Sequence, residues 1–210
     1  MTETNAHLHT PLLLRHRGFL GLTLTQFFET LNDNTFKVFV TLWALDHSGW
    51  PENRVTALGG AMFVLPFLMF SALAGSLADR WSKRRVALWV KAAEVSIMVV
   101  ASFFLRDAHL GPLLGLVFLL GLHSAFFAPA KYGLLPEILP PKDLSNGNGI
   151  VQSTTFLAII LGTPLGIALL HRVGDHPGAA GPLFVVLAVA GLLSSFLIDR
   201  VPPRRPPHAP

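Results

Sequence analysis

Three ionisable residues lie four positions apart in an otherwise apolar stretch: Glu29, Asp33 and Lys37. At about 100° per residue they fall within an arc of roughly 120° on a helix, and the polar residues at positions 23, 26 and 30 share that arc. Each ionised group at the centre of a membrane-spanning helix costs roughly 2.5–3.5 kcal/mol. The stripe therefore predicts a bundle interior or an aqueous cavity, where such groups bind ions or charged ligands, or neutralise one another.

A purely structural role is the alternative, because Lys37 is close enough in sequence to neutralise either acid and so hold helices together. Two acids against one base leave one carboxylate over. Asn32 and Thr35 lie off the stripe, and the helix alone assigns them no role. The opposite face predicts lipid contact and carries Leu20, Leu24, Phe27, Phe28, Leu31 and Val38.

The composition is typical of a membrane protein, since 51% of the residues are apolar and 13% are charged. The apolar residues form six blocks of about twenty, the length that crosses a bilayer as a helix. The spans are predicted at 18–45, 56–78, 86–105, 111–129, 150–170 and 182–199. We expect an all-α membrane protein with a cytoplasmic segment at 1–17, a six-helix bundle at 18–200 and a proline-rich linker or truncated end at 201–210.

The loops predict that both termini are cytoplasmic. If the amino terminus is inside, the only lysine or arginine residues in the external loops are Arg54, Arg106 and Arg172. The positive-inside rule therefore accounts for the excess of basic residues, a net charge of +4, and we expect no nucleic-acid partner. Basic residues on the cytoplasmic side are Arg15, Arg17, Arg80, Lys83, Arg84, Arg85, Lys131, Lys142, Arg200, Arg204 and Arg205.

Mid-helix prolines in the second and fifth spans, Pro66 and Pro164, hint that the two triplets of spans form an inverted repeat. Proline and glycine are also common in membrane helices without any repeat. On that view the pairs at 111/115 and 162/166 are small residues that let helices pack closely.

The loop between the second and third spans runs from Gly75 to Arg85 and includes Asp79, Arg80 and Arg84. Its order, Gly-Ser-Leu-Ala-Asp-Arg-Trp-Ser-Lys-Arg-Arg, resembles the loop motif of the major facilitator superfamily, with Ser82 in place of the usual glycine. The resemblance implies one six-helix half, built as a 3+3 repeat, of a transporter that works by alternating access. It also implies that Gly75, Asp79, Arg80 and Arg84 gate the cytoplasmic side.

The run from Leu144 to Thr163 is similar to the transporter half of proteins in which a lysophospholipid carrier is fused to acyltransferase domains. Two further blocks resemble the lysophospholipid transporters of bacterial inner membranes. They are Gln-Phe-Phe-Glu-Thr-Leu-Asn-Asp-Asn from Gln26 and Ala-Pro-Ala-Lys-Tyr-Gly from Ala128. The resemblance implies that Asp33 and Lys131 handle the lipid head group, with Glu29 and Lys37 tuning Asp33. It further implies a lysophospholipid substrate and a location in the inner membrane.

Several other residues admit two interpretations. Lys131 follows Pro129, which is expected to end the fourth helix, so Lys131 either reaches a phosphate at a cavity rim or is an ordinary interfacial lysine. Lys91 and Glu94 are three residues apart and can contact each other, either as a structural pair or as a substrate contact. Lys91 is near enough to the cytoplasmic end to extend to the membrane surface, whereas Glu94 lies deeper and needs a partner. His123 is either a proton carrier or a hydrogen-bonded packing residue. The Asn-Gly-Asn-Gly run at 146–149 is expected to cap the fifth helix.

The sequence gives an enzyme little support. It lacks a nucleotide phosphate loop, a zinc-binding His-Glu-x-x-His, a nucleophile turn and the His-x₄-Asp spacing of glycerolipid acyltransferases. We expect no catalytic residues, no metal and no cofactor. Expected partners are the lipid bilayer, a lysophospholipid and a second six-helix bundle, which would be the protein's own carboxy-terminal half, a homodimer copy or a separate chain. Alternatives are a transporter of another amphiphile or drug, or a non-transporting module that serves an acyltransferase.

Overall fold

The computed structural model describes residues 13–107 and 109–199, and within them the chain is helical with no β-strand. Six α-helices and two short 3₁₀ turns, Pro141–Asp143 and Pro177–Ala180, make up the fold. The helices are α1 Arg17–His47, α2 Glu52–Arg80, α3 Lys83–Asp107, α4 Leu110–Ile138, α5 Leu144–Val173 and α6 Gly181–Ser195.

Five of the helical segments are long and apolar enough to cross a membrane, namely α2 to α4 and, with their leading turns, α5 and α6. Helix α1 is long enough as well, but Glu29, Asp33 and Lys37 interrupt its apolar sequence. The prediction of six membrane-length helices is confirmed. The last helix ends at Ser195, before the predicted boundary at 199.

The packing repeats between the two halves of the bundle. Helix α1 packs against α5 as α4 packs against α2, and α1 packs against α6 as α4 packs against α3. This pattern is unchanged when the triplets α1–α3 and α4–α6 are exchanged. Because each triplet has three helices, the second triplet runs through the bundle in the opposite direction to the first. The chain therefore has the 3+3 arrangement that the paired prolines indicated.

Glycines allow these helices to approach each other at two points. A Cβ on Gly121 would lie 2.2 Å from the Phe63 carbonyl oxygen, so α4 meets the backbone of α2 there. A Cβ on Gly166 would lie 2.8 Å from the Thr35 carbonyl oxygen, where α5 meets α1. The expectation for 111/115 was wrong, since an added Cβ at either position meets no described atom within 4 Å.

Helix α1 lies at the centre of the bundle, in contact with α2, α4, α5 and α6. From position 18 to position 45 no residue of α1 is exposed, and Leu22, Phe36 and Phe39 are fully buried. The predicted lipid-facing side was therefore wrong. Close approach of α5 and α6 covers that side, as Gly166 against Val38 and Gly191 against Phe28 illustrate.

Two helix boundaries also differ from expectation. Helix α4 continues through Pro129 and Pro136 to Ile138, because a membrane bundle can re-satisfy the carbonyls that a proline leaves unpaired. The Asn-Gly-Asn-Gly run lies inside α5 rather than before it. Pro140 and the 3₁₀ turn after it already separate the two helices, and Gly147 packs against Leu139.

One end of the bundle gathers the start of α1, the loop between α2 and α3, and the end of α6. His16 Nδ1 lies 3.8 Å from Asp199 Oδ2, and Arg84 Nε donates to the Ile198 carbonyl at 2.7 Å. The two described ends of the chain therefore lie on the same side, as an even number of spans requires. The proposed linker at 201–210 and most of the segment at 1–17 lie outside the described residues.

Candidate functional site

A cavity of about 270 Å³ opens between α1, α2, α4 and α5. None of its lining residues comes from α3 or α6, which pack behind α1 and α4. All four predicted substrate residues line this cavity: Glu29, Asp33, Lys37 and Lys131. The polar stripe of α1 therefore faces an open space, one of the two environments that its charges required.

The acidic wall of the cavity is buried and only partly hydrogen-bonded. The Ser124 hydroxyl on α4 donates to Asp33 Oδ2, whereas Asp33 Oδ1 and Glu29 Oε2 have no partner among the described residues. Gln26 Oε1 on the same wall is also unpartnered, although its amide nitrogen donates to Thr30 and Thr155. Each of the three free atoms is a hydrogen-bond acceptor, so this wall is suited to a donor or a cation.

The basic side of the cavity is formed by Lys131 and Lys37. Lys131 is 8% exposed and its ammonium lies 4.6 Å from the Tyr132 ring centroid. Lys37 Nζ lies 5.2 Å from the Phe63 ring centroid, and no described carboxylate lies within 4 Å of either ammonium. The structure thus provides cations on the same cavity as the acids without neutralising them by direct pairing.

Behind the acidic wall lies a fully buried polar cluster that joins α1 to α3. Lys91 pairs with Glu94 on α3, and Asn32 Nδ2 on α1 donates to Glu94 Oε1 at 2.9 Å. The expectation that Lys91 extends to the membrane surface was wrong, since it is 0% exposed. Gly191 on α6 leaves the room, because a Cβ there would lie 2.8 Å from Lys91 Nζ.

His123 connects this cluster to the cavity wall. Its Nε2 lies 3.5 Å from Glu94 Oε2 and 3.7 Å from Glu29 Oε1, and its Nδ1 lies 2.7 Å from the Leu120 carbonyl. Glu29, Asp33 and His123 each place one nitrogen or oxygen atom within 4.8 Å of the other two. Atoms so arranged in a buried setting can enclose one small cation or share a proton.

The four predicted gating residues lie at the end of α2 and the start of α3, outside the cavity lining. Asp79 and Arg80 are exposed, and a Cβ added to Gly75 meets no described atom within 4 Å, so its expected close packing does not occur inside this part of the chain. Arg84 is tied to the end of α6 through the Ile198 carbonyl. Lys83 is anchored as well, through Glu137 at 2.7 Å, so of the predicted gating residues only Asp79 and Arg80 present exposed charges at the bundle surface.

Sequence reasoning missed several cavity residues because no charge marks them. Asn34 donates to the Ile159 carbonyl at 3.0 Å and to Thr163 at 2.9 Å, which fixes α1 against α5. Ser124 and Asn32 also went unassigned, although polar residues in an apolar span are a signal for interhelical hydrogen bonds. Their partners belong to other helices, so the sequence could not identify them.

Comparisons with known proteins find relatives along most of this chain. Lysophospholipid transporter LplT of Enterobacter sp. (strain 638) is 29% identical over 198 residues, which cover 94% of this chain and 47% of that protein. LplT of Yersinia enterocolitica is 31% identical over 188 residues, 89% of this chain and 43% of the relative. LplT of Serratia proteamaculans is 28% identical over 96% of this chain and 48% of the relative. The chain spans about half the length of the curated relatives it matches.

A sequence model of the whole superfamily gives the broader assignment. The model described as Major Facilitator Superfamily matches residues 22–210, which include every helix from α2 onward and most of α1. The six membrane-length helices and their 3+3 packing fit half of that fold. This multi-pass membrane protein belongs to the major facilitator superfamily.

Proposed function

We propose that this chain forms one half of a lysophospholipid transporter that works by alternating access. The observation that carries the proposal is the cavity, which has unpaired acids on one side and unpaired lysines on the other. A phosphate would bind Lys131, with Lys37 as a second cation. An ammonium or hydroxyl group of the same head group would donate to the free Asp33 oxygen.

The apolar part of the cavity suits the rest of such a substrate. Phe63, Phe67 and Phe127 line it beside the charged residues. The flanking helices α2 and α5 expose large apolar side chains, including Leu68 at 74% and Ile160 at 66%. A single acyl chain could remain in lipid while the head group occupies the polar part of the cavity.

A second six-helix bundle would complete the path. The cavity is bounded by four helices of one half only, and a charged wall open to hydrocarbon would be costly. The partner would be the protein's own carboxy-terminal half, a second copy or a separate chain. Sizing of the purified protein in detergent should give a two-bundle particle, and a monodisperse single bundle that moves lipid would contradict this arrangement.

We further infer that the protein lies in the inner membrane with both termini in the cytoplasm. Asp79 and Arg80 would then contact the second bundle when the cytoplasmic side closes, and Gly75 would leave room for that contact, while Arg84 holds the start of α3 against the end of α6. Reporter fusions after Arg205 and near Arg54 should report opposite sides of the membrane. The chain carries no catalytic role in this account, and any acyltransferase activity would lie on another segment or protein.

Uptake of radiolabelled lysophospholipid into spheroplasts tests the proposed transport. Cells that produce the assembled two-bundle protein should take up the lipid above vector controls, and unlabelled lysophospholipid should compete. Lys131→Gln should reduce uptake at least tenfold at equal membrane abundance, whereas Lys142→Gln, an exposed matched control, should leave it unchanged. Vector-level uptake by the abundant, assembled protein would refute the function.

A further inference from the structure

His123 Nε2 has no hydrogen-bond partner in the described structure. Nδ1 lies 2.7 Å from the Leu120 carbonyl, which can only accept, so Nδ1 carries a proton and donates it. In neutral imidazole the other nitrogen is then an acceptor. His123 Nε2 is 3.5 Å from Glu94 Oε2 and 3.7 Å from Glu29 Oε1, and it has no hydrogen-bond partner. In that neutral form a lone pair would face two carboxylates with no hydrogen between them.

The buried carboxylates around this nitrogen carry more negative charge than the cation paired with them neutralises, so the site can accept one more positive charge. Three buried carboxylates, Glu29, Asp33 and Glu94, lie around the ammonium of Lys91, whereas the other buried lysine, Lys131, has no carboxylate within 4 Å among the described residues. Lys91 and Asn32 both bind Glu94, so that carboxylate is already satisfied at each oxygen. Glu29 receives no hydrogen bond from a described residue, and it is 3% exposed. Uncompensated charge at such a depth is strongly disfavoured.

The remaining elements offer no other cation at this point. Helix α6 contributes Gly191, and the cavity faces of α2 and α5 contribute phenylalanine, threonine and isoleucine side chains. Lys37 and Lys131 stand on the cavity wall, and no carboxylate lies within ion-pair distance of them in the described chain. Asp33 accepts from Ser124 and keeps one oxygen free toward the other two groups.

We propose that Glu29 and His123 form a proton-binding site, in which the two groups hold one proton between them, on Glu29 Oε1 or on His123 Nε2, and exchange it with solvent through the cavity. On His123 the proton makes Nε2 a donor toward the carboxylates, and on Glu29 it removes one negative charge. Glu29 lines the cavity, so it gives the proton access, whereas His123 anchors the site through Leu120. The site deepens the proposed transport function because it places an exchangeable proton beside Asp33, but its existence does not require that function.

Proton binding can be measured without substrate on the purified, assembled protein. Infrared difference spectra across a pH titration should contain one carboxyl or imidazolium transition that disappears in Glu29→Gln. His123→Gln should remove the same transition, and the double variant should lose no second one, because a shared proton is counted once. Glu52→Gln, at an exposed acid on α2, should leave the transition intact.

The outcomes are distinguishable from a failure of transport. If Glu29→Gln does not fold, Glu29→Asp should fold and shift the midpoint of the transition rather than abolish it. Separate transitions lost additively by the two single variants would overturn the shared proton. Another outcome would indicate that the site binds a metal ion instead of a proton. The melting temperature of wild type, but not of Glu29→Gln, would then be higher in sodium chloride than in choline chloride, and no band would titrate. If the protein shows the transition but takes up no lysophospholipid, the proton-binding site is supported and only the transport proposal is refuted.

Discussion

Asn32 Nδ2 donates a hydrogen bond to Glu94 Oε1 at 2.9 Å, and this contact joins α1 to α3 at a point that is closed to solvent. Glu94 also accepts a hydrogen bond from the Lys91 ammonium, so two donors on different helices bind one carboxylate. The cluster fixes the back of the bundle, while the stripe on the other side of α1 faces the cavity. One helix thus carries both a structural polar contact and a candidate substrate wall.

Loss of the Asn32 contact should destabilise the bundle. Asn32→Ala leaves a buried carboxylate oxygen without a donor, and hydrogen bonds to charged groups contribute roughly 1.5–3 kcal/mol. We expect a lower melting temperature in detergent. Asn148→Ala, at an exposed position of α5, is the matched control and should melt like wild type. Equal melting temperatures for both variants would show that the contact does not contribute to stability.

Gly121 should tolerate no side chain, because its Cβ would lie 2.2 Å from the Phe63 carbonyl oxygen on α2. Relieving that overlap requires a backbone shift, so Gly121→Ala should lower the yield of folded protein and the melting temperature. Gly115→Ala, on the same helix with open space around it, should behave like wild type. The comparison of the two variants by thermal melting isolates helix packing from helix propensity, and a normal Gly121→Ala protein would contradict the close approach.

The sequence predicted the scaffold of this protein better than its contacts. Hydropathy located six helices, since the bilayer imposes a length of about twenty residues on each. Periodicity also indicated that Glu29, Asp33 and Lys37 share a face, because side-chain direction along a helix is a local property. The cavity on that face agrees with this expectation.

The errors concern relations between helices. Pro129 is compatible with a continuous α4 only because its surroundings are a packed bundle, and this continuity places Lys131 on the cavity wall rather than in a loop. The burial of Lys91 depends on Gly191, which is remote in sequence. The sequence of α1 gives Asn32 no role for the same reason, since its partner belongs to α3. Pairing across helices is decided by tertiary packing, which a single sequence does not display.

Asp79 should control the balance between conformations rather than insertion. It is exposed at the end of α2 and has no hydrogen-bond or ion-pair partner within the described part of the chain, so its partner would belong to the second bundle. Asp79→Asn should therefore increase cytoplasmic accessibility of the cavity. Labelling of single cysteines introduced on the two sides measures this change. Asp143→Asn, a second acid at the same end of the bundle, is the control, and identical labelling in wild type and Asp79→Asn would leave the loop as a topology signal only.

In the proposed transporter, Asp33 faces the substrate path rather than neutralising Lys37. Lys37 lies over the Phe63 ring, and Asp33 accepts from Ser124, so the two residues have different partners. Asparagine at position 33 can still accept that hydrogen bond. Asp33→Asn should therefore reach the membrane at normal levels.

The most direct measurement is lysophospholipid uptake into spheroplasts by the assembled transporter, normalised to its membrane abundance, for wild type, Asp33→Asn, Glu29→Gln and the double variant. We predict normal abundance with at least a tenfold loss of uptake in Asp33→Asn. Asp46→Asn, at an exposed acid near the end of α1, should retain uptake. Wild-type uptake by Asp33→Asn at normal abundance would contradict the account, because the residue would then handle neither substrate nor ion.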